Sequence, residues 1–151
     1  MLQQNKAPPI VPKPKSKAFA QLNGKGRVQL YALQACTEVT ILVYNLYGWT
    51  NANTDKAAAK RTGALLQAIL DDMAMQPQGP AMIVGDLNGD THTFPILQQA
   101  LGNHLLIDVG AQASQWGQQD SDYTCSAPGT NAPTRRDYVF ATPEAYGGVS
   151  L

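Results

Sequence analysis

A short run near the middle of the chain carries the residues best suited to chemistry. The segment PAMIVGDLNGD, residues 80–90, begins as an apolar stretch and then places Asp86, Asn88 and Asp90 at alternate positions after Gly85. Two carboxylates and an amide at this spacing can hold a divalent cation and a phosphate group, cap a turn, or begin a calcium-binding loop. Each alternative makes a different demand on the surrounding sequence.

The calcium-loop alternative fails on the residues that follow. An EF-hand loop needs glycine at position 6 and a bidentate glutamate at position 12. Thr91 and Leu97 occupy those positions here, and an apolar strand pattern precedes the loop. An Asx turn stays open, because Asp and Asn side chains commonly accept hydrogen bonds from nearby backbone N–H groups after a strand. A functional site stays open as well, because ligands of α/β sheets collect beyond the carboxyl ends of strands.

A second acidic residue can join this loop. Asp137 follows Arg135 and Arg136 at the entrance of the last apolar run, RRDYVFA. Two carboxylates and a basic pair would then converge at one rim of a sheet.

Three segments taken together resemble the endonuclease/exonuclease/phosphatase superfamily, which consists of metal-dependent phosphodiesterases. VYNLYG, IVGDLN and RRDYVFATPEA occur in the order typical of that superfamily, with a helix between the first two. GDLN is similar to its G-D-x-N motif, RRDYV is similar to its R-x-D-Y/W motif, and DYTC precedes the latter as in many members. The resemblance covers about residues 27–145. It implies an α/β fold, a partial DNase I-like mixed β-sheet sandwich flanked by helices.

The resemblance implies catalytic roles for Asp86, Asn88, Tyr47 and Asp137. Asp86 would orient or activate the attacking water, or assist the leaving group, and Asn88 would hold a phosphate oxygen. Tyr47 would bring its hydroxyl toward the scissile phosphate. Asp137 would accept a hydrogen bond from a catalytic histidine and set its tautomer.

The cofactor implied by the resemblance is Mg²⁺ or Mn²⁺, with Asp86 and Asn88 as the metal-binding residues. Carboxylate and amide oxygens suit these hard cations better than zinc. Arg135, Arg136 and Asn45 are expected to bind substrate, and for Arg135 a structural role is an equal alternative. The expected partner is a nucleic acid or another phosphodiester substrate.

Two motifs of the superfamily are absent from the sequence. Complete members carry a glutamate in a QE pair as the main metal ligand and a catalytic histidine in an SDH motif, and neither motif occurs here. Glu38 opens a strand pattern and is interpreted as a surface residue. His92 follows the GDLN loop within reach of a phosphate, whereas His104 ends a short helix pattern.

The absent motifs predict a domain that is truncated at both ends and is weakly active or inactive alone. Missing segments of the same domain are therefore among its expected partners. Two alternatives differ in class: a non-catalytic remnant that binds nucleic acid or a partner, and a structural domain whose GDLN is only a turn.

Length and composition indicate one domain with an uneven charge distribution. The 151 residues allow a single core. Residues 1–27 hold six of the eleven cations and no acid, which leaves five cations against eleven acids in the rest. Residues 1–26 are predicted to be a flexible basic tail rich in Pro and Lys, and residues 27–151 the partial domain. With no apolar run of ~18 residues, we expect a soluble protein, with an intracellular location favoured.

The hydrophobic pattern predicts the order strand, strand, helix, strand, helix, strand, strand. RVQLYAL and EVTILVYNLYG form the first pair, and a helix runs from an N-cap at Asn53 or Thr54 to about Met75. Residues 111–134 are rich in Gly, Ser, Gln and Asn and are predicted to be a long surface loop. Trp49 is interpreted as a core residue in preference to a base-stacking one. Cys36 and Cys125 fit neither a disulfide framework nor a zinc-ligand spacing.

Overall fold

A computed structural model describes residues 11–126 and 132–149. Its strands are β1 (Val28–Cys36), β2 (Val39–Tyr47), β3 (Ala81–Asp86), β4 (Ile107–Asp108), β5 (Cys125–Ser126), β6 (Pro133–Thr134) and β7 (Asp137–Ala141). Its helices are α1 (Lys17–Leu22), α2 (Lys56–Met75), α3 (Pro95–Gly102) and α4 (Pro143–Val149). Five strands form one sheet in the order β1-β2-β3-β7-β4, and β5 pairs with β6 separately. The predicted α/β class, a mixed sheet flanked by helices, is confirmed.

The mixed sheet is built around one parallel pair. β2 and β3 run parallel and are joined through α2, whereas β1 pairs antiparallel with β2, and β7 pairs antiparallel with both β3 and β4. A parallel connection needs a long crossover, and the 20 residues of α2 provide it. The carboxyl ends of β2 and β3 consequently lie at the same edge of the sheet.

Helix α2 begins and ends close to its predicted bounds. Its N-cap is Asp55, whose side chain accepts a hydrogen bond from the N–H of Ala57, and its last residue is Met75, as the sequence predicted. Pro95 occupies the first turn of α3, where its missing N–H costs little. The region predicted as a long loop is more regular than expected, because residues 110–116 form a 3-10 helix and β5 and β6 pair within it.

The prediction of a flexible segment through residue 26 is wrong for the stretch that forms α1. Ser16 caps this helix by accepting a hydrogen bond from the N–H of Phe19. The Phe19 side chain is fully buried and meets Tyr44 edge to face, with ring centroids 5.3 Å apart. Residues 1–10 of the predicted segment lie outside the described residues.

A buried carboxylate fastens α1 to the rest of the core. Asp72 of α2 has 0% of its surface exposed. Its Oδ1 accepts hydrogen bonds from the backbone N–H groups of Lys15 (2.5 Å) and Ser16 (2.7 Å). Its Oδ2 accepts from the Tyr44 hydroxyl at 2.7 Å and from Gln76 Nε2 at 3.0 Å. Four donors around one charge supply the compensation that a buried carboxylate needs.

Two buried tyrosines predict a loss of stability at alkaline pH. Burial raises the pKa of Tyr44 well above its ordinary value of 10.0, and hydrogen bonding to Asp72 adds to the shift. Burial also raises the pKa of Tyr138 to about 12. Both hydroxyls keep their protons in the folded state above pH 10, whereas the unfolded chain releases them. Below pH 10 their contribution is fully present, and above it the free energy of unfolding should fall by about 1.4 kcal/mol per pH unit for each tyrosine.

Urea denaturation of the full chain between pH 8 and pH 11 measures this effect. The variant Tyr138→Phe should lose about half of the alkaline slope, and Tyr123→Phe, which alters an exposed ring, should keep it. A free energy of unfolding that stays constant to pH 11 would contradict the expectation.

The two faces of the sheet differ in how well they are covered. Side chains on one face, including those of Leu30, Tyr44, Ile83 and Phe140, share a buried core with residues of α1, α2 and α3. On the other face, Tyr31 is 49% exposed, Leu33 54% and Val139 37%. We call this second face the open face. No helix in the described ranges is both long and apolar enough to cross a lipid bilayer.

Candidate functional site

Three of the predicted catalytic residues lie in one row across the sheet. Tyr47, the last residue of β2, is the register partner of Asp86, the last residue of β3. Asp86 is in turn the partner of Asp137, the first residue of β7. Since partners in adjacent strands point to the same face, all three side chains lie on the open face at one rim of the sheet. We call this row of three residues the rim.

The pKa of Asp86 is shifted in opposite directions by its surroundings. Partial burial raises the pKa of Asp86 above its ordinary value, and the Asp137 carboxylate across the strand raises it further. The N–H of Asn88 and the charge of Arg136 act in the opposite direction. The N–H of Asn88 donates to Asp86 Oδ1 at 2.7 Å, whereas Oδ2 accepts no hydrogen bond from the described residues. One carboxylate oxygen is therefore held and the other is available to a ligand.

Asn88 is buried and stabilises the loop after β3 through two hydrogen bonds. Its φ of 52° lies in the left-handed region, which Asn tolerates better than most residues. Its N–H closes the Asx turn with Asp86, so the turn that the sequence left open as an alternative is present. Its Nδ2 donates to the carbonyl oxygen of Gly48 at 3.2 Å and ties the loop to the end of β2. The amide Oδ1 has no partner among the described residues.

The two arginines before β7 have different surroundings. Arg135 forms a bidentate ion pair with Asp108 of β4, with an Nη1···Oδ2 distance of 2.8 Å and an Nη2···Oδ1 distance of 2.6 Å. Both side chains are largely buried. Its guanidinium also lies 4.3 Å from the centre of the Tyr138 ring. Arg135 therefore joins β4 to β7, which favours the structural alternative for this residue, and its role in substrate binding stays a prediction. Arg136 is half-exposed and close enough to Asp86 to lower that pKa.

A threonine fixes the start of β7. Thr124 Oγ1 accepts hydrogen bonds from the N–H groups of both Arg136 and Asp137, each at 3.0 Å. This is the DYTC segment of the sequence, whose threonine thus positions Asp137 at the rim. Asn45 is exposed on the open face two residues before Tyr47, so the structure places it beside the rim.

Neither histidine lies among these residues. His92 is exposed, and its Nε2 lies 3.8 Å from Asp90 Oδ2. His104 follows α3 with a φ of 56°. Within residues 11–126 and 132–149, no group of three or more His, Cys, Asp or Glu residues is arranged to hold a metal ion.

A group of residues beside the rim has no counterpart in the sequence analysis. The guanidinium of Arg27 lies 3.7 Å from the centre of the Trp49 ring, and Arg61 of α2 lies 4.8 Å from the same centre. Trp49 is half-buried and packs against the core, which agrees with its interpretation as a core residue. Its stacking with two arginines was not predicted, because 22 residues separate Arg27 from Trp49.

Comparison with solved structures shows the fold of the chain. No family model and no curated protein matches the sequence. Among solved structures, the chain is similar to a truncated TDP2 from Caenorhabditis elegans (TM-score 0.53, 13% identity) over 76% of this chain and 45% of that one. It is similar to the catalytic domain of Xenopus laevis APE2 (TM-score 0.53, 19% identity) over 79% of this chain and 46% of that one. A humanized D. rerio TDP2 matches with a TM-score of 0.52 at 14% identity, over 76% and 44%.

These identities are low enough that the comparison carries information about the fold alone. The chain spans less than half the length of each of these structures. The described residues share a DNase I-like mixed α/β fold with these structures, as the sequence resemblance predicted.

Proposed function

We propose that the chain is part of a metal-dependent phosphodiester hydrolase whose reaction takes place at the rim. The observation that carries the proposal is the direct pairing of Tyr47 with Asp86 and of Asp86 with Asp137 across three adjacent strands. A purely structural turn would need Asp86 and Asn88 alone. It would not need a tyrosine hydroxyl and a second carboxylate on the same face.

The side chains at the rim have different roles in the proposed hydrolysis of a phosphodiester. Asp86 has a raised pKa, so its carboxylate is suited to accept a proton from an attacking water. The exposed Tyr47 hydroxyl can donate a hydrogen bond to a phosphate oxygen, and Arg136 can offset the negative charge that grows during attack. Asp137 is exposed and is placed to orient a histidine that the described residues do not supply.

The donor atoms at the rim fit Mg²⁺ or Mn²⁺ in type. Mg²⁺ is commonly held by one or two carboxylates together with substrate phosphates. Asp86 Oδ2 and Asn88 Oδ1 are hard oxygen donors without partners in the described part of the chain, and Asp137 stands beside them. A bound cation would polarise the phosphate and stabilise its developing charge. Because the rim has so few carboxylates, its affinity for Mg²⁺ or Mn²⁺ in the absence of substrate should be low.

We further infer that additional polypeptide of the same fold covers the open face and completes the site. Apolar side chains such as Tyr31 and Leu33 are exposed there, although a sheet of this composition is ordinarily covered on both faces. The solved structures with this fold are more than twice as long as the part that matches. The rim opens onto this face, so a layer packed on it would bring further side chains to Asp86. The domain is accordingly expected to be weakly active alone.

Metal binding at the rim can be measured independently of activity. Mn²⁺ should broaden the amide NMR signals of residues 85–88 and of Asp137 in the full chain, at roughly millimolar concentrations. Asp86→Ala should abolish this local broadening, and Asp71→Ala, which removes an exposed acid from α2, should leave it unchanged. Broadening that is absent from the rim, or equal in both variants, would count against the metal site.

Hydrolysis supplies the second test. With Mg²⁺, the chain should cleave a single-stranded oligonucleotide slowly, and EDTA should stop the reaction. Asp86→Ala should reduce the rate to background, a loss of roughly 100-fold or more if the residue acts as a general base. Cleavage that survives both EDTA and Asp86→Ala would argue for a contaminating nuclease and against the rim.

A non-catalytic role in binding is the second candidate. It is favoured by Arg27 and Arg61, which stack on Trp49, have no carboxylate partner among the described residues and provide positive charge without any metal. Binding to an oligonucleotide in EDTA, with no cleavage under any condition, would support this candidate over hydrolysis.

A further inference from the structure

Two arginines and a tryptophan form a compact group next to Tyr47. The guanidinium carbon of Arg27 lies 3.7 Å from the centre of the Trp49 ring and 5.2 Å from that of Tyr47. Arg61 approaches Trp49 from α2 at 4.8 Å. We call Arg27, Trp49 and Arg61 the arginine–tryptophan cluster.

The cluster is continuous with the candidate site. The carbonyl oxygen of Gly48 accepts a hydrogen bond from Arg27 Nη1 at 2.9 Å and another from Asn88 Nδ2 at 3.2 Å. Arg27 Nη1 also donates to the carbonyl oxygen of Tyr47 at 3.2 Å. A guanidinium and the amide of the GDLN loop therefore meet at a single backbone atom.

The positive charges of the cluster are not neutralised within the described ranges. No carboxylate there lies within 4.0 Å of a nitrogen of Arg27 or Arg61, whereas Arg135 is paired with Asp108. Stacking on an aromatic ring holds a guanidinium in place and leaves N–H groups at its edge to bind an anion. Arg61 is exposed and Arg27 half-exposed, so both can be reached from solvent.

The positions of the cations on either side of the rim indicate a ligand with several phosphates. The cluster lies on the β2 side of Asp86, and the half-exposed Arg136 lies on the β7 side. A strand with a phosphate at every nucleotide can use both, because its neighbouring phosphates extend on either side of the one at the rim.

We propose that the arginine–tryptophan cluster binds the backbone phosphate of a nucleic-acid strand, next to the phosphate that lies at the rim. This assignment rests on the proposed function, because the rim defines where the strand runs. Because the contact joins guanidinium groups to a backbone phosphate, it should be independent of base sequence.

Fluorescence anisotropy of a labelled single-stranded oligonucleotide, titrated with the full chain in EDTA at several KCl concentrations, tests the proposal. Each phosphate contact contributes about 0.7 to the log–log salt slope of single-strand binding. Arg61→Gln should therefore lower the slope by about 0.7 and the affinity roughly five-fold at 0.1 M salt. Arg27→Gln should act in the same direction, with circular dichroism to verify that it is folded. The effect should be equal for oligonucleotides of different sequence.

Lys17→Gln is the matched control for charge. Lys17 begins α1, which is attached to Asp72 near the opposite end of α2 from Arg61, so its removal changes net charge equally and should leave binding unchanged. Asp86→Asn should bind at least as tightly as the wild type in EDTA. If hydrolysis fails but these binding results hold, the cluster assignment stands and the proposed reaction does not.

Three results would overturn the assignment. The first is an absence of salt-dependent binding by the wild type. The second is binding by folded Arg61→Gln and Arg27→Gln that equals that of the wild type. The third is a loss of binding to phosphatidylserine vesicles in these variants while oligonucleotide binding is unchanged, which would identify a lipid headgroup as the ligand.

Discussion

Replacing Asp72 by alanine is expected to destabilise the fold by at least about 3 kcal/mol. The fully buried Asp72 carboxylate accepts four hydrogen bonds, and two of its donors are the backbone N–H groups of Lys15 and Ser16 at the start of α1. Alanine would leave the Ser16 N–H and the Tyr44 hydroxyl without a partner in a buried environment. The measurement is urea denaturation of the full chain, followed by far-ultraviolet circular dichroism.

The adjacent acid provides the control for this prediction. Asp71 is exposed on the same helix, and Gln67 is its only hydrogen-bond donor among the described residues, so Asp71→Ala should change the free energy of unfolding by less than about 0.5 kcal/mol. Similar stabilities for Asp71→Ala and Asp72→Ala would mean that α1 is not held by the buried carboxylate.

The second large effect is expected at the glycine that precedes Asp86. Gly85 has a φ of +135°, and a Cβ built on it would lie 1.9 Å from the carbonyl oxygen of Leu46. Because that neighbour is backbone of β2, the two strands would have to separate where Tyr47 and Asp86 face each other. Gly85→Ala should therefore cost roughly 3 kcal/mol or more and move Asp86 away from Tyr47. This explains why the apolar run of β3 ends in glycine.

Replacing Gly63 by alanine is expected to have the opposite effect on stability. It lies inside α2, and nothing is found within 4 Å of an added Cβ. Gly63→Ala should stabilise the protein by about 0.5 to 1 kcal/mol, because alanine favours the helix and restricts the unfolded chain. Denaturation curves for the two variants can be compared directly. A Gly85→Ala protein as stable as the wild type would disprove the close approach of β2 and β3.

The convergence of the rim could be predicted because it depends on short-range patterns. Apolar alternation marks β2 and β3, and the helical period of α2 identifies the crossover between them. A parallel pair with such a crossover brings its carboxyl ends together, so Tyr47 and Asp86 had to lie near each other. The position of Asp137 followed from its place at the start of the last strand.

Helix α1 and the arginine–tryptophan cluster depend on contacts between distant residues. KAFAQL is too short to form a stable helix alone, and it is held by Asp72, 56 residues beyond Ser16. The stacking of Arg27 on Trp49 follows from the register that places Val28 opposite Leu46 in the β1–β2 pair. Neither the buried acceptor nor the strand register is visible in local composition.

The role of Arg135 could not be settled from its motif. A basic residue before an acid suits substrate contact and strand pairing equally well. The partner that favours strand pairing, Asp108, lies 27 residues earlier on a strand of two residues. Only the pairing of β4 with β7 brings the two together.

The open face also affects how the protein behaves in concentrated solution. β1 is the outermost strand of the sheet and carries Tyr31 and Leu33 on that face. A long edge strand with exposed apolar side chains is a template for self-association. Added salt weakens contacts with polyanions but does not screen apolar ones, so high ionic strength should favour oligomers. Light scattering across a salt series would reveal whether oligomers replace contacts with polyanions as the ionic strength rises.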